Sequence, residues 1–187
     1  MLLLFGFDTP YIAILTLLSA LLHEAGHIFI IWVLNGEKSK ICPTSYGFRI
    51  DTTFSSYREE AMCAFGGPLV NILLFLLFFA ISPLFSDKEY LLTFALVNLL
   101  SAISNLLPIQ SYDGHKILHS LLAERWDLGV SDRVCYPLSF LLSATLTLLS
   151  LYLLLKCGEG YWIFGIFFTL LFTNITELHR KTKSEKN

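Results

Sequence analysis

An apolar segment long enough to span a membrane is interrupted near its middle by His23, Glu24 and His27, within the motif HEAGH. Residues 11–22 before the motif and residues 28–34 after it carry no charged side chain. Placing two imidazoles and a carboxylate at bilayer depth costs several kcal/mol, so ionisable groups in such a segment indicate a functional site. This feature constrains the chain more than any other does.

The spacing of the motif is that of a zinc site. On a helix, residues four apart share a face, so His23 and His27 can bind one metal ion together. Glu24 points about 100° away from His23, which suits a general base acting on a water molecule beside the metal and not a third ligand. The alternative is a pair of histidines satisfied by hydrogen bonds within a helix bundle, but this leaves Glu24 buried without a role.

The composition predicts an all-α polytopic membrane protein. The chain is 55% hydrophobic and has a mean hydropathy of +0.63, which is too apolar for a soluble domain of this length. Besides the segment with the motif, the charge-free runs are residues 61–85, 90–112, 134–155 and 160–176. We therefore expect about five transmembrane helices in a single membrane-embedded domain, residues 1–187.

The positions of lysine and arginine predict the orientation. If the N-terminus lies outside, 13 Lys and Arg residues divide so that only Lys88 and Lys156 lie on the outer side. This positive-inside bias predicts an outer N-terminus and a cytosolic C-terminus. The metal would then lie roughly 13 Å below the cytosolic surface. Nothing in the charge distribution indicates binding to nucleic acid.

A third protein ligand is needed, because catalytic zinc keeps its fourth position for water. Asp113 is the best candidate, since it follows Pro108, which ends helical geometry, and precedes Gly114, which allows a tight turn. A broken helix at membrane depth is tolerated where it lines a polar cavity. The alternative role for Asp113 is to cap a short helix that starts near Gly114.

Other side chains offer competing metal ligands. His115 and His119 are also four apart, so they could form a second metal pair or replace Asp113, although such residues more often lie on the polar face of an interfacial helix. Glu124 and Glu177 are alternative third ligands, but neither has the expected partner motif on its helix.

Two asparagines lie in otherwise apolar runs. In the second run, Gly66, Gly67 and Pro68 precede Asn71, and an amide at that depth needs a hydrogen-bond partner. Two roles explain this segment equally well: close packing of helices with an interhelical hydrogen bond, or a direct part in catalysis. Asn105 lies eight residues before Asp113 and could hold a substrate carbonyl as an oxyanion donor.

Residues 46–54, between the first two apolar runs, begin with alternating polarity. Tyr46, Phe48 and Ile50 face one way, while Arg49 and Asp51 face the other, as in a half-buried strand. An edge strand near the metal could pair with an unwound substrate, and an ordinary cytosolic hairpin is the alternative.

Taken together, HEAGH, GGPLVN and NLLPIQSYDGHKIL resemble the three signatures of the site-2 protease family of intramembrane zinc metalloproteases, in the order of that family. The resemblance covers roughly residues 11–122. It implies that the zinc ligands are His23, His27 and Asp113 and that Glu24 is the catalytic base.

The resemblance also implies that Asn71 and Asn105 line the active site, and we expect the same of Gly67 and Pro108 in the same motifs. Residues 46–54 would be the short membrane-associated β element between the first and second helices. The family often has a second glycine where this chain has His115. The layout is nearest to the sporulation branch of the family, without its C-terminal sensor domain.

The expected protein is thus a zinc-dependent intramembrane endopeptidase with one Zn²⁺ per chain, a catalytic core at about residues 9–125 and additional helices in residues 132–178. It would cleave a membrane-protein substrate in or near its transmembrane segment, on the cytosolic side. We expect the lipid bilayer, the substrate and a regulatory membrane protein as partners, in a prokaryotic cell membrane. The alternatives are a catalytically silent relative that acts as a membrane-helix scaffold and a zinc transporter.

Overall fold

The computed structural model describes the backbone of residues 10–35, 40–44, 47–51, 56–86, 88–157 and 161–184. It describes their side chains except those of residues 35, 40–44, 47–51, 157, 162 and 177–184. The described part contains a two-stranded hairpin and six α-helices: α1 (Pro10–Asn35), β1 (Lys40–Thr44), β2 (Gly47–Asp51), α2 (Tyr57–Ile81), α3 (Lys88–Asn105), α4 (Asp113–Arg125), α5 (Leu128–Cys157) and α6 (Tyr161–Ser184).

Local sequence signals set several helix ends. The first residue of α1 is Pro10, whose fixed φ and missing N–H suit the first helical position. At the start of α2, the Ser56 side chain accepts a hydrogen bond from the Glu59 backbone N–H at 3.3 Å, which satisfies one of the free donors of the first turn. The last residue of α3 is Asn105, three residues before Pro108, because a proline disfavours helical geometry in the residue that precedes it.

Helix α2 is central and packs against α1, α3 and α4, while α5 packs against α4 and α6. The contact between α1 and α2 is close because glycines face each other there. A Cβ atom on Gly26 would lie 2.5 Å from the Gly66 carbonyl oxygen, and one on Gly66 would lie 2.7 Å from the Gly26 carbonyl oxygen. Small residues at a helix interface allow this approach, which brings the HEAGH motif against α2.

The distribution of polar and apolar side chains is that of a membrane helix bundle. Much of the fully buried interior consists of small polar residues: Ser19, Asn71, Asn98, Ser120, Ser131, Ser139 and Ser143. Large apolar side chains are exposed along the helices, among them Leu21, Phe29, Leu73, Leu77 and Leu148. Lipid solvates such surfaces, whereas interhelical contacts in membranes use small and hydrogen-bonding residues.

By length and composition, the described residues support three of the five expected transmembrane helices. Among the described residues, three helices are long and apolar enough to cross a membrane: Pro10–Leu34, Tyr57–Leu84 and Leu128–Lys156. Helix α3 has 18 residues and begins with the charged Lys88 and Glu89. It is shorter than the charge-free run 90–112 predicted, because that run also includes the loop after Asn105. The apolar part of α6 is the shorter Ile163–Thr176. The three long helices support an integral membrane protein.

A hairpin occupies the connection between α1 and α2. Strands β1 and β2 pair antiparallel, with Ile41 opposite Ile50 and Cys42 opposite Arg49. Tyr46 and residues 52–54 of the expected strand segment lie outside the described residues, as do the side chains of both strands. The membrane association expected for this segment is therefore not supported by the structure and stays a prediction.

Candidate metal centre

The two histidines of the HEAGH motif direct one nitrogen each toward the same point. Their rings lie one turn apart on α1, with centroids 4.8 Å apart and planes at 83°. The two Nε2 atoms are 3.1 Å apart. The side chain of His23 is buried and that of His27 is half-buried, so both imidazoles lie inside the bundle.

Asp113, at the first position of α4, brings a carboxylate to the same point. Its Oδ2 lies 3.0 Å from His23 Nε2 and 3.2 Å from His27 Nε2. Tyr112 occupies the N-cap position of α4, so Asp113 is not the cap. Within the described part of the chain, these three residues form the one group of His, Cys, Asp or Glu side chains with the spacing of a metal site.

These three atoms fit a zinc ion. Zinc bound tetrahedrally at about 2.0–2.1 Å separates its ligand atoms by about 3.3 Å, close to the three observed distances of 3.0, 3.1 and 3.2 Å. Two imidazoles and one carboxylate are also a donor set of catalytic zinc sites, which keep a fourth position open. The residues present therefore fit the metal that the sequence predicts.

Helix α2 holds the other nitrogen of each imidazole. His27 Nδ1 lies 2.8 Å from the Cys63 carbonyl oxygen, so Nδ1 carries the hydrogen in that contact, because a carbonyl oxygen can only accept. The Nε2 lone pair of a neutral His27 is then directed at the site. His23 Nδ1 lies 3.3 Å from Nδ2 of the buried Asn71.

Gly67 lies directly against both imidazoles. A Cβ atom there would lie 2.5 Å from His27 Nε2 and 2.6 Å from His23 Nε2. These distances are shorter than van der Waals contact, so any larger residue would displace the rings or occupy the metal position. The absence of a side chain at this one position of α2 leaves room for the site.

The loop from Leu106 to Tyr112 delivers Asp113 to the histidines. Gly114 is required there for close approach, since a Cβ atom at this position would overlap the carbonyl oxygen of Leu106. The sequence predicted Gly114 as a residue of a tight turn, but its structural role is to let α4 begin against the end of α3. A second contact fixes the loop: the Gln110 backbone N–H donates to Ser139 Oγ at 2.7 Å.

Lys116 contacts the second oxygen of Asp113. Its Nζ lies 2.9 Å from Oδ1, which leaves Oδ2 directed at the histidines. Burial by itself raises the pKa of the Asp113 carboxyl, but the hydrogen bonds with His23 and His27 and the charge of Lys116 outweigh it and hold the pKa well below its ordinary range.

A solved structure, the Site-2 Protease from Methanocaldococcus jannaschii, matches this chain with a TM-score of 0.67 over 92% of this chain and 79% of that chain. The chain has the fold of a site-2 protease. The two sequences are 22% identical, so the match establishes the fold and not the activity. No family model matches the chain, and no curated protein matches it.

Within this site-2 protease fold, Glu24 lies outside the ligand group. Its side chain is exposed, next to the buried His23. Asn105 ends α3 and Pro108 lies in the following loop, both half-buried.

Among the described residues, the group of His23, His27 and Asp113 includes none of the competing ligands His115, His119 and Glu124. His119 Nε2 is 2.8 Å from Asp132 Oδ1 on α5, and the His115 ring packs 5.5 Å from the ring of Tyr136. Glu124 is exposed near the end of α4. The side chain of Glu177 lies outside the described residues.

Three contacts at the site did not follow from the sequence motifs. The spacing of Lys116, three residues after Asp113, is a signal that could have predicted their ion pair. The Cys63 carbonyl and Ser139 carry no such signal, because their contacts join distant segments of the chain and depend on how the helices pack.

Proposed function

We propose that this chain is a zinc-dependent intramembrane endopeptidase that hydrolyses a peptide bond in or near the transmembrane segment of a membrane-protein substrate. The observation that carries the proposal is the convergence of His23, His27 and Asp113 with separations near those of a zinc site, inside a fold similar to that of a site-2 protease. His23, His27 and Asp113 would hold one Zn²⁺ per chain.

When bound, zinc supplies a Lewis acid that lowers the pKa of a water molecule towards 7 and polarises a carbonyl group. Glu24 takes a proton from the attacking water and passes it to the leaving amine. Its position one residue after His23 and its exposed side chain support this role, because a base must reach both the water and the substrate. The substrate helix must unwind first, since a helical peptide bond has its carbonyl hydrogen-bonded.

The distribution of charge supports cleavage on the cytosolic side. His27 lies seven residues before the end of the span Pro10–Leu34, about 10 Å along a helix. With the N-terminus outside, that end of α1 faces the cytosol, where most Lys and Arg residues lie. A prokaryotic cell membrane, with the C-terminus cytosolic, is the proposed location.

The remaining expectations extend the same proposal. Asn105, Pro108 and Gly67 would line the active site, and the hairpin of β1 and β2 would present an edge to the unwound substrate. Helices α3 and α6 would complete five spans around the catalytic core. The bilayer, the substrate and a regulatory membrane protein would be the partners.

The test uses a panel of single-span membrane proteins tagged at both ends and coexpressed with either the wild type or Glu24→Gln. We expect a cleaved fragment from at least one substrate with the wild type. The Glu24→Gln variant should keep its zinc and its fold but produce the fragment at least a hundredfold more slowly. Undiminished cleavage by the variant would contradict the mechanism. A substrate that copurifies with the wild type and is never cut would favour the scaffold alternative.

A further inference from the structure

Binding of a metal by His23 depends on which of its two ring nitrogens carries the hydrogen. A neutral imidazole has one protonated and one unprotonated nitrogen. Its Nε2 atom faces His27 and Asp113 at 3.1 and 3.0 Å, so Nε2 must be unprotonated if it is to bind the metal. The hydrogen then lies on Nδ1, and a buried N–H requires an acceptor.

Asn71 is the described side chain that contacts His23 Nδ1. It is fully buried on α2, one turn after Gly67 on the helix. Its Nδ2 lies 3.3 Å from His23 Nδ1, and its Oδ1 has no hydrogen-bond partner within the described residues. In this orientation the contact would join two donors once His23 Nδ1 carries a hydrogen.

A rotation of the Asn71 amide by 180° exchanges the two ends without moving any other atom. Oδ1 then accepts from His23 Nδ1. The choice between the two orientations rests on the His23 tautomer that metal binding demands. Metal-ligating histidines commonly donate their other N–H to a carbonyl or carboxylate oxygen, which fixes the ring and raises ligand basicity.

We propose that Asn71 is a positioning residue that accepts a hydrogen bond from His23 Nδ1 through Oδ1 and so directs the Nε2 lone pair of His23 at the metal. The Cys63 carbonyl does the same for His27, 2.8 Å from its Nδ1. Both contacts come from α2, so this one helix sets the tautomers of both histidines on α1. The inference rests on the proposed zinc site and deepens it.

Zinc affinity, measured by competition with a chelator on detergent-purified protein, tests this role. Asn71→Leu removes the acceptor at similar size, and Asn71→Asp keeps an acceptor but cannot donate. We expect Asn71→Leu to bind zinc 10–100-fold more weakly and Asn71→Asp to bind at least as tightly as the wild type.

Asn98→Leu is the matched control. Asn98 is equally buried, but it lies on α3 and contacts Ser19 at 3.0 Å. The zinc affinity of the Asn98→Leu variant should stay within about threefold of wild type. This control separates the loss of the acceptor at His23 from general damage to the helix bundle.

Nuclear magnetic resonance of ¹⁵N-labelled histidine reports which ring nitrogen of His23 is protonated. A purely structural role of Asn71 would not determine this tautomer. The chain has five histidines, so the signals can be assigned by substitution. The zinc-loaded wild type should show His23 protonated on Nδ1. Equal zinc loss in Asn71→Leu and Asn98→Leu, or zinc loss in Asn71→Asp, would overturn the inference while leaving the metal site intact. A hydrogen on Nε2 would contradict both the inference and the binding of zinc through that atom. A folded wild type that binds no zinc would contradict both proposals.

Discussion

The Oδ2 atom of Asp113 lies 3.0 Å from Nε2 of His23, although 90 positions separate the two residues in the chain. The contact forms because α2 packs against both α1 and α4 and because the loop after α3 places Asp113 at the start of α4. A group of three potential ligands assembled from two helices in this way depends on residues outside the group.

Gly67→Ala should abolish zinc binding, or weaken it at least tenfold, because the added Cβ would lie within 2.5–2.6 Å of the two histidine Nε2 atoms. Gly165→Ala is the control, since a Cβ atom there would meet nothing within 4 Å, and it should keep full zinc content. The measurement is zinc per chain in both purified variants. Normal zinc content in Gly67→Ala would mean that the two histidines do not bind the metal through these nitrogen atoms.

Ser139→Ala should lower the free energy of unfolding by about 1–3 kcal/mol, because it leaves the backbone N–H of the half-buried Gln110 without its acceptor. Ser139 also donates to Asn174 Oδ1 at 2.6 Å, so the same change loosens α5 from α6. Ser143→Ala is the matched control on the same helix, since Ser143 bonds the carbonyl of Phe140 in its own helix. Thermal unfolding in detergent measures both. Equal destabilisation of the two variants would show that the contact to the loop contributes nothing of its own.

The proposed orientation predicts opposite labelling of two exposed positions. Lys88 begins α3 and Arg125 ends α4. In a background with Cys42 and Cys157 replaced by serine, Lys88→Cys should react with an impermeant thiol reagent on intact cells, and Arg125→Cys only after the membrane is opened. Cys63 and Cys135 are buried and should contribute little signal. The reverse pattern would place the metal site nearer the outer surface.

The sequence predicts the parts of this molecule that depend on short-range spacing. His23 and His27 share a face because a helix repeats every 3.6 residues, and α3 ends before Pro108 because of local sterics. The expected third span was drawn too long for a related reason. Residues 106–112 are uncharged and so lengthened the apparent third span, although they form the loop that carries Asp113.

The contacts between helices could not be read from the sequence in the same way. Gly67 lies against both imidazoles only because α1 and α2 pack at Gly26 and Gly66 in one particular register. Ser139 reaches the backbone of Gln110 across 29 positions of the chain, and no local pattern marks that pair. These distances depend on how the helices pack against each other. The periodic pattern of a single sequence does not specify that packing.

The central claim is that His23, His27 and Asp113 bind one zinc ion, and zinc per chain in detergent-purified protein tests it most directly. We predict about one zinc in the wild type, less than a tenth of that in His23→Ala and Asp113→Ala, and full content in folded His115→Ala, whose ring packs against Tyr136. A well-folded wild type without zinc, or an Asp113→Ala variant that keeps all of it, would contradict the account.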